Sequence, residues 1–247
     1  MSIVAMTLTA ASVVGQQLVP ADHGPRMATR AQLTAMIDSL QGELSSHRAG
    51  SDDHTKIERS IQAISERLTA GDVFAGDVVR LRVSGEDRWT LDHTVTPTRT
   101  LALVDIDPVD VSRALYSEIE EKISLQLATY LREPRVDALV LKRIGVTGFV
   151  GNPGFYLMDG ASLVSEAVMV AGGPNNASNI NTIEFRRMGV PLDIPTGVVW
   201  QSMSLDDLGV MSGDEMYIPQ SGSSLGRFLL AAIGLVASLT LIAIRIF

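Results

Sequence analysis

The chain has 247 residues, 46% of them apolar and 19% charged, enough to bury one or two modest cores. A net charge of −8 and the lack of any Lys/Arg-rich run argue against a nucleic-acid partner, which would require a basic face. With no cysteine, the chain cannot form disulfides, thiolate nucleophiles, Cys-ligated zinc sites, iron–sulfur clusters or a lipidated N-terminal cysteine.

Residues 1–26 read as a signal remnant and linker. Ile3 to Val14 has the length of a signal-peptide core, and Val13-Val14-Gly15 offers a small-residue cleavage site. No Lys or Arg precedes Arg26, so the basic start of a signal is missing, and a frayed apolar terminus is the other reading. Residues 27–70 read as a helical arm. Leu33, Ile37, Leu40 and Leu44, then Ile57, Ile61, Ile64 and Leu68, recur at helical spacing. "RAGSDD" interrupts them, with Asp52 or Asp53 as the expected N-cap. The pattern predicts a helical hairpin or coiled-coil-like arm with a solvated charged face.

From Gly71 the period changes. "GDVVRLRV" alternates after a Gly-Asp turn and predicts a strand, as does "RTLALVDI". A helix is expected next, with Asp107 as N-cap, Pro108 at its first position and Asp110 in its first turn. Its apolar stripe is Leu115, Ile119, Ile123, Leu127 and Leu131, and Pro134 stops it. "RVDALVLKRIGVTGFV" is strand material. "GNPG" then turns into a short strand, "FYLM", and Ser162 is the expected cap of the helix "LVSEAVMVA". Gly172 ends that helix in the left-handed region. "INTIEFRR", "MG" and "VPLDI" read as a hairpin, and "GDEMYIP" as a second Gly-Asp turn leading into a strand. The class is α+β, in two small units at 71–141 and 142–219, with 220–247 left as a linker and a C-terminal helix.

No motif here carries convincing chemistry. "GSSLG" at 222–226 matches a nucleophile elbow, but no Asp, Glu or His follows Ser224. His23, His47, His54 and His93 lack metal-ligand spacing and read as surface residues. Asp77 and Asp214 are either a carboxylate pair or two turn residues that accept from their own backbone. The turn reading is preferred because the same Gly-Asp device precedes two strands. "NAS" at Asn176 is a sequon of little weight. The glycines of "GVTGFVGNPGFYLMDG" do not sit directly between a strand and a helix, as a phosphate loop requires, so they read as turns. No cofactor or metal site is expected.

The order of these elements resembles an SLBB domain, a β-grasp-like module. The residues carrying the resemblance are Gly148, Val150, Asn152, Pro153, Gly154, Tyr156, Gly160, Ser162, Leu163, Ala171, Gly172 and Gly173. Upstream, "AGDVVRLRV" and "ALYSEIEEKISLQLATYLREPRVDALV" are similar to the polysaccharide export domain of Wza-type capsule and exopolysaccharide exporters. "GVMSGDEMYIP" is similar to their closing strand, and the likeness covers about 71–219. Four features depart from the family: the missing lipidated cysteine, a single SLBB unit, the added arm, and "LALVDIDP" in place of P-x-x-G.

The resemblance implies a non-enzymatic homo-oligomeric ring in the cell envelope that passes a polysaccharide. Its body would be periplasmic, and its C-terminal helices would cross the outer membrane. The implied partner is an inner-membrane chain-length regulator with tyrosine-kinase function. A membrane-anchored saccharide-binding module or scaffold that forms no pore is the alternative. The uncharged run Phe228 to Ile244 has the reach of a spanning helix, roughly 17 to 25 residues. At 100° per residue Arg227, Gly234, Ser238 and Arg245 fall on one line with Ala231 beside it, a pore or packing stripe; alternatively, the two arginines snorkel at the interfaces.

Overall fold

A computed structural model of the chain describes residues 24–46, 49–176, 178–192 and 202–220. The segment Ile3 to Val14, His23, His47, "GSSLG" and the whole tail stripe (Arg227, Ala231, Gly234, Ser238 and Arg245) lie outside them. The described residues form a mixed α+β fold with four α-helices.

Helix α1 (Arg30–Leu44) starts from a capping box. Thr29 Oγ1 accepts from the Gln32 N–H, and Gln32 Oε1 accepts from the Thr29 N–H. Helix α2 (Asp52–Ala70) is capped by Ser51, not by Asp52 or Asp53 as expected. Those two acids sit in the first turn, where they favour the positive end of the helix dipole. The helices pack on each other as a hairpin. Leu33 and Ile64 close over Leu115, with Met36, Ile37, Leu40 and Leu68 around them, so the arm is docked on the body.

The strands are β1 (Val78–Val83), β2 (Asp92–Thr94), β3 (Thr100–Leu101), β4 (Val109–Asp110), β5 (Val136–Gly148), β6 (Gly154–Asp159), β7 (Glu184–Arg187), β8 (Val190–Pro191) and β9 (Glu215–Ile218). β3 and β4 pair alone, and the other seven make one sheet. Its pairs are antiparallel except β5 with β9. Leu141 pairs with both Val78 and Asp159, and Gly145 with both Phe155 and Glu215. β1 and β9 therefore lie end to end along one side of β5, and β6 lies along the other.

One face of β5 serves two apolar clusters. Val140 joins Trp89, Ile119, Ile123 and Leu127 of the first. Ile144 and Val146 join Val164, Ala167, Val168 and Phe185 of the second. Successive even positions share a face, so Lys142 falls between the two clusters, and it is buried there.

Two expected elements are shorter than the pattern suggests. "RTLALVDI" yields only Thr100–Leu101, because Asp105 takes a left-handed φ of 62° and turns the chain. The helix expected from Asp107 starts instead at Ile119, as α3 (Ile119–Leu127). Val109–Asp110 is strand, and Asp110 Oδ1 accepts from the Ser112 N–H, a local turn bond that competes with helix. The stripe itself is observed: Leu115, Ile119, Ile123 and Leu127 are all buried and Leu131 partly so. Helix α4 (Val164–Val170) has Leu163 at its N-cap position, where the Glu166 carboxylate takes the Leu163 N–H; Ser162 is not the cap. His93 is not a surface residue. It is buried, with Nε2 3.1 Å from the Trp89 carbonyl.

Candidate functional site

Part of the predicted signature, residues 148–156 and 171–173, comes together at one end of the second cluster, whereas Gly160, Ser162 and Leu163 lie at the other end of α4. The Gly151 N–H donates to Gly173 O at 3.0 Å, and the Asn152 N–H to Ala171 O at 2.7 Å, tying the loop after β5 to the end of α4. Val150 bridges to Pro174. Gly172 and Gly173 both take left-handed φ, 83° and 74°. Pro153 precedes Gly154 at the start of β6, and the Tyr156 hydroxyl donates back to Asn152 O. Gly148 has φ 85°, and a Cβ there would lie 2.1 Å from Ile218 O, so only glycine fits beside β9. At Gly160 a Cβ would lie 2.3 Å from Asp206 Oδ1. That contact leads to the polar seam between the two clusters.

Asp206 is the hub of the seam. Lys142 Nζ donates to Asp206 Oδ1 at 3.1 Å and to Val210 O at 2.7 Å. Arg26, just before α1, donates to Asp206 Oδ2 at 2.5 Å, pairs with Asp159 at 3.1 Å and reaches Val140 O at 3.2 Å. Its guanidinium lies 3.9 Å from the centre of the Tyr116 ring, and the Tyr116 hydroxyl donates to Asp206 Oδ1 at 3.4 Å. Behind this, Arg67 grips Asp72 through two bonds of 2.8 and 2.9 Å, and Asp72 also accepts from the Tyr116 N–H. The seam thus draws residues from the arm, from both apolar units and from their shared strand.

The two Gly-Asp turns meet here as well. Asp77 Oδ2 accepts from the Phe74 N–H and Asp214 Oδ2 from the Met211 N–H, each at 2.8 Å and each three residues back. This is the local turn bond the sequence suggested. Asp77 also accepts from the Ser212 hydroxyl at 2.6 Å, which joins one turn to the other. Asp214 is held instead by Arg187 through two 2.8 Å bonds.

Electrostatics separates the two seam carboxylates. Burial works to raise the Asp206 carboxyl, but Lys142 and Arg26 outweigh it and hold it below the usual range. Asp77 goes the other way: burial raises it, and the Lys142 charge and the Ser212 and Phe74 donors only partly offset that. Burial and then the Asp206 charge push the Tyr116 phenol well above its ordinary value.

The seam floors a cleft of about 790 Å³ between α2 and the segment Ser204–Met211. Lys142 and Arg26 are balanced by Asp206 and Asp159, so the arrangement suits fixing geometry more than moving protons. Among the described residues no group of three or more His, Asp or Glu is placed to hold a metal, and no helix is long and apolar enough to cross a membrane. The sequence reading missed Arg26, Lys142 and Asp206. Lys142 alone left a signal, as a charge at a core-facing position of an apolar strand. No protein-family model and no curated protein matches the chain.

Proposed function

We propose that the chain is a ring-forming component of a polysaccharide export channel, built from an export-type unit and one SLBB, β-grasp-like unit. The observation that carries this reading is the joined signature. Gly151 and Asn152 hydrogen-bond to Gly173 and Ala171 across the intervening β6 and α4, in a strand–turn–strand–helix unit that shares β5 with a second small unit. A stack of two units on one strand suits a subunit that must hold its shape in a ring. Conduction of a polymer needs weak, distributed contacts, and a self-neutralised seam is compatible with that. The C-terminal helices would anchor the particle or line its outer-membrane pore, and an inner-membrane chain-length regulator with tyrosine-kinase function would be the partner. Negative-stain imaging of the full chain purified in detergent is the test. Closed rings with an axial cavity support export. A monodisperse monomer contradicts it and favours a membrane-anchored saccharide-binding module, and open helical assemblies favour a scaffold.

A further inference from the structure

The export reading gives no task to the cleft above the seam. Its volume, about 790 Å³, falls within the range of small-molecule sites, roughly 300 to 1,000 Å³. Both of its walls are braced. Arg99 donates to the carbonyls of Ala70 and Val73 and lies 4.8 Å from the centre of the Phe74 ring, which ties the end of α2 to the segment that follows it. On the facing wall the Ser204 N–H donates to the Asp207 carboxylate at 3.1 Å, and the Asp207 N–H to Ser204 Oγ at 3.0 Å. A site braced in this way gives up little freedom on binding.

The lining selects by chemistry. Ala63, Ala70, Phe74 and Met211 contribute apolar surface. The polar side chains of the α2 wall are turned back on their own helix. Gln62 Nε2 donates to Glu66 at 2.9 Å, Ser65 Oγ to Ile61 O at 2.7 Å, and Thr69 Oγ1 to Ser65 O at 2.6 Å. A saccharide, with a hydroxyl on most of its carbons, meets groups that are already engaged, and each unpaired hydroxyl is costly to bury. Charge disfavours anions, because Arg26, Arg67 and Lys142 are outnumbered by Glu66, Asp72, Asp206 and Asp207 around the cleft. At the floor lies Lys142, with a side chain only 6% exposed. Its Nζ donates to Asp206 Oδ1 and to Val210 O. An ammonium has three N–H donors, and the remaining one has no acceptor among the described residues.

We propose that the cleft binds an uncharged, mainly apolar small molecule whose one oxygen acceptor meets Lys142 Nζ. The apolar body lies between α2 and residues 204–211, and the oxygen takes the remaining ammonium N–H. A long-chain ketone or ester has this chemistry. Such a ligand touches the arm, the seam and the second unit together, so its binding tightens the joint between them. The inference does not rest on the export reading, since a glycan is what this lining rejects.

Benzophenone is the probe, because it is uncharged, apolar, carries one ketone oxygen and cross-links under ultraviolet light to the C–H groups it touches. Irradiated with the full-length protein, it should label Met211 and the α2 wall saturably, as mapped by peptide mass spectrometry. Methyl nonyl ketone should displace the label, and undecane should compete roughly tenfold or more weakly, the worth of one hydrogen bond to a charged donor. Ala70→Phe and Ala161→Phe fill the cleft from the arm and from the second unit, and each should lose the label with its thermal melt unchanged. If Ala70→Phe does not fold, the exposed site of Ala161 and the competition in wild type still decide the matter. No adduct, or adducts scattered away from the cleft, would overturn the inference, as would a label retained in both filled variants. Undecane competing as well as the ketone would remove the contact with Lys142. Equal labelling by benzophenone carboxylate, or displacement by a maltooligosaccharide, would overturn the ligand class.

Discussion

Gly76–Asp77 and Gly213–Asp214 make the same turn, each carboxylate accepting from the backbone N–H three residues back. Their other partners differ. Asp214 is held by Arg187, which belongs to the same apolar unit. Asp77 is held by the hydroxyl of Ser212, which belongs to the other unit. One turn is closed within its own half of the molecule, and the other helps to close the seam. The Asp206 hub is the stronger form of the second kind, because its cations come from the start of the arm and from the shared strand. Charges thus do two jobs here: finishing one unit, and joining two.

The largest effect is expected at the hub. Asp206→Ala leaves the buried Lys142 ammonium without a carboxylate and the part-buried Arg26 with Asp159 alone, and should cost about 3 to 5 kcal/mol by urea unfolding. Arg187→Ala should cost about 3 kcal/mol, because Asp214 keeps a backbone donor but loses its guanidinium. Hydrogen exchange should then rise in β7 and β9 only. The same exchange measurement on Asp206→Ala should show loosening on both sides of Lys142.

The pH response should divide the two seam carboxylates. Asp206 has a lowered folded value, so its stabilisation is present above the ordinary carboxylate value of 3.8 and is lost as pH falls through the lowered one. Asp77 has a raised folded value, so its contribution is present below 3.8 and is lost as pH rises through the raised one. In thermal melts the advantage of wild type over Asp206→Ala should shrink on acidification. Wild type should instead lose ground to Asp77→Asn as pH rises. The smallest effect is expected at Ser212→Ala, about 1 to 2 kcal/mol, for one lost donor to a buried carboxylate.

Local features of the fold were legible in the sequence. The i, i+4 stripe Leu115, Ile119, Ile123 and Leu127 marks the face of α3, and the Gly-Asp pairs mark the starts of β1 and β9. The start of α3 was not legible, because Asp107, Pro108 and Asp110 make a good cap in isolation while β3 pairing and the Asp110 turn bond compete for the same residues. The seam was the least legible part. Arg26 and Asp206 are separated by 180 positions, and no local spacing joins them. The turn glycines were legible as punctuation, but that Gly160 makes room for Asp206 depends on a tertiary contact.

The central claim is that the seam makes two small cores behave as one body. Urea unfolding followed by two probes tests it. With Trp200 replaced by phenylalanine, Trp89 in the first core is the chain's one tryptophan, and a fluorine label on Phe185 variants carrying fluorophenylalanine reports the second. The account predicts coincident midpoints in the otherwise unaltered chain and two separated midpoints in Asp206→Ala. Separated midpoints with Asp206 in place would contradict it.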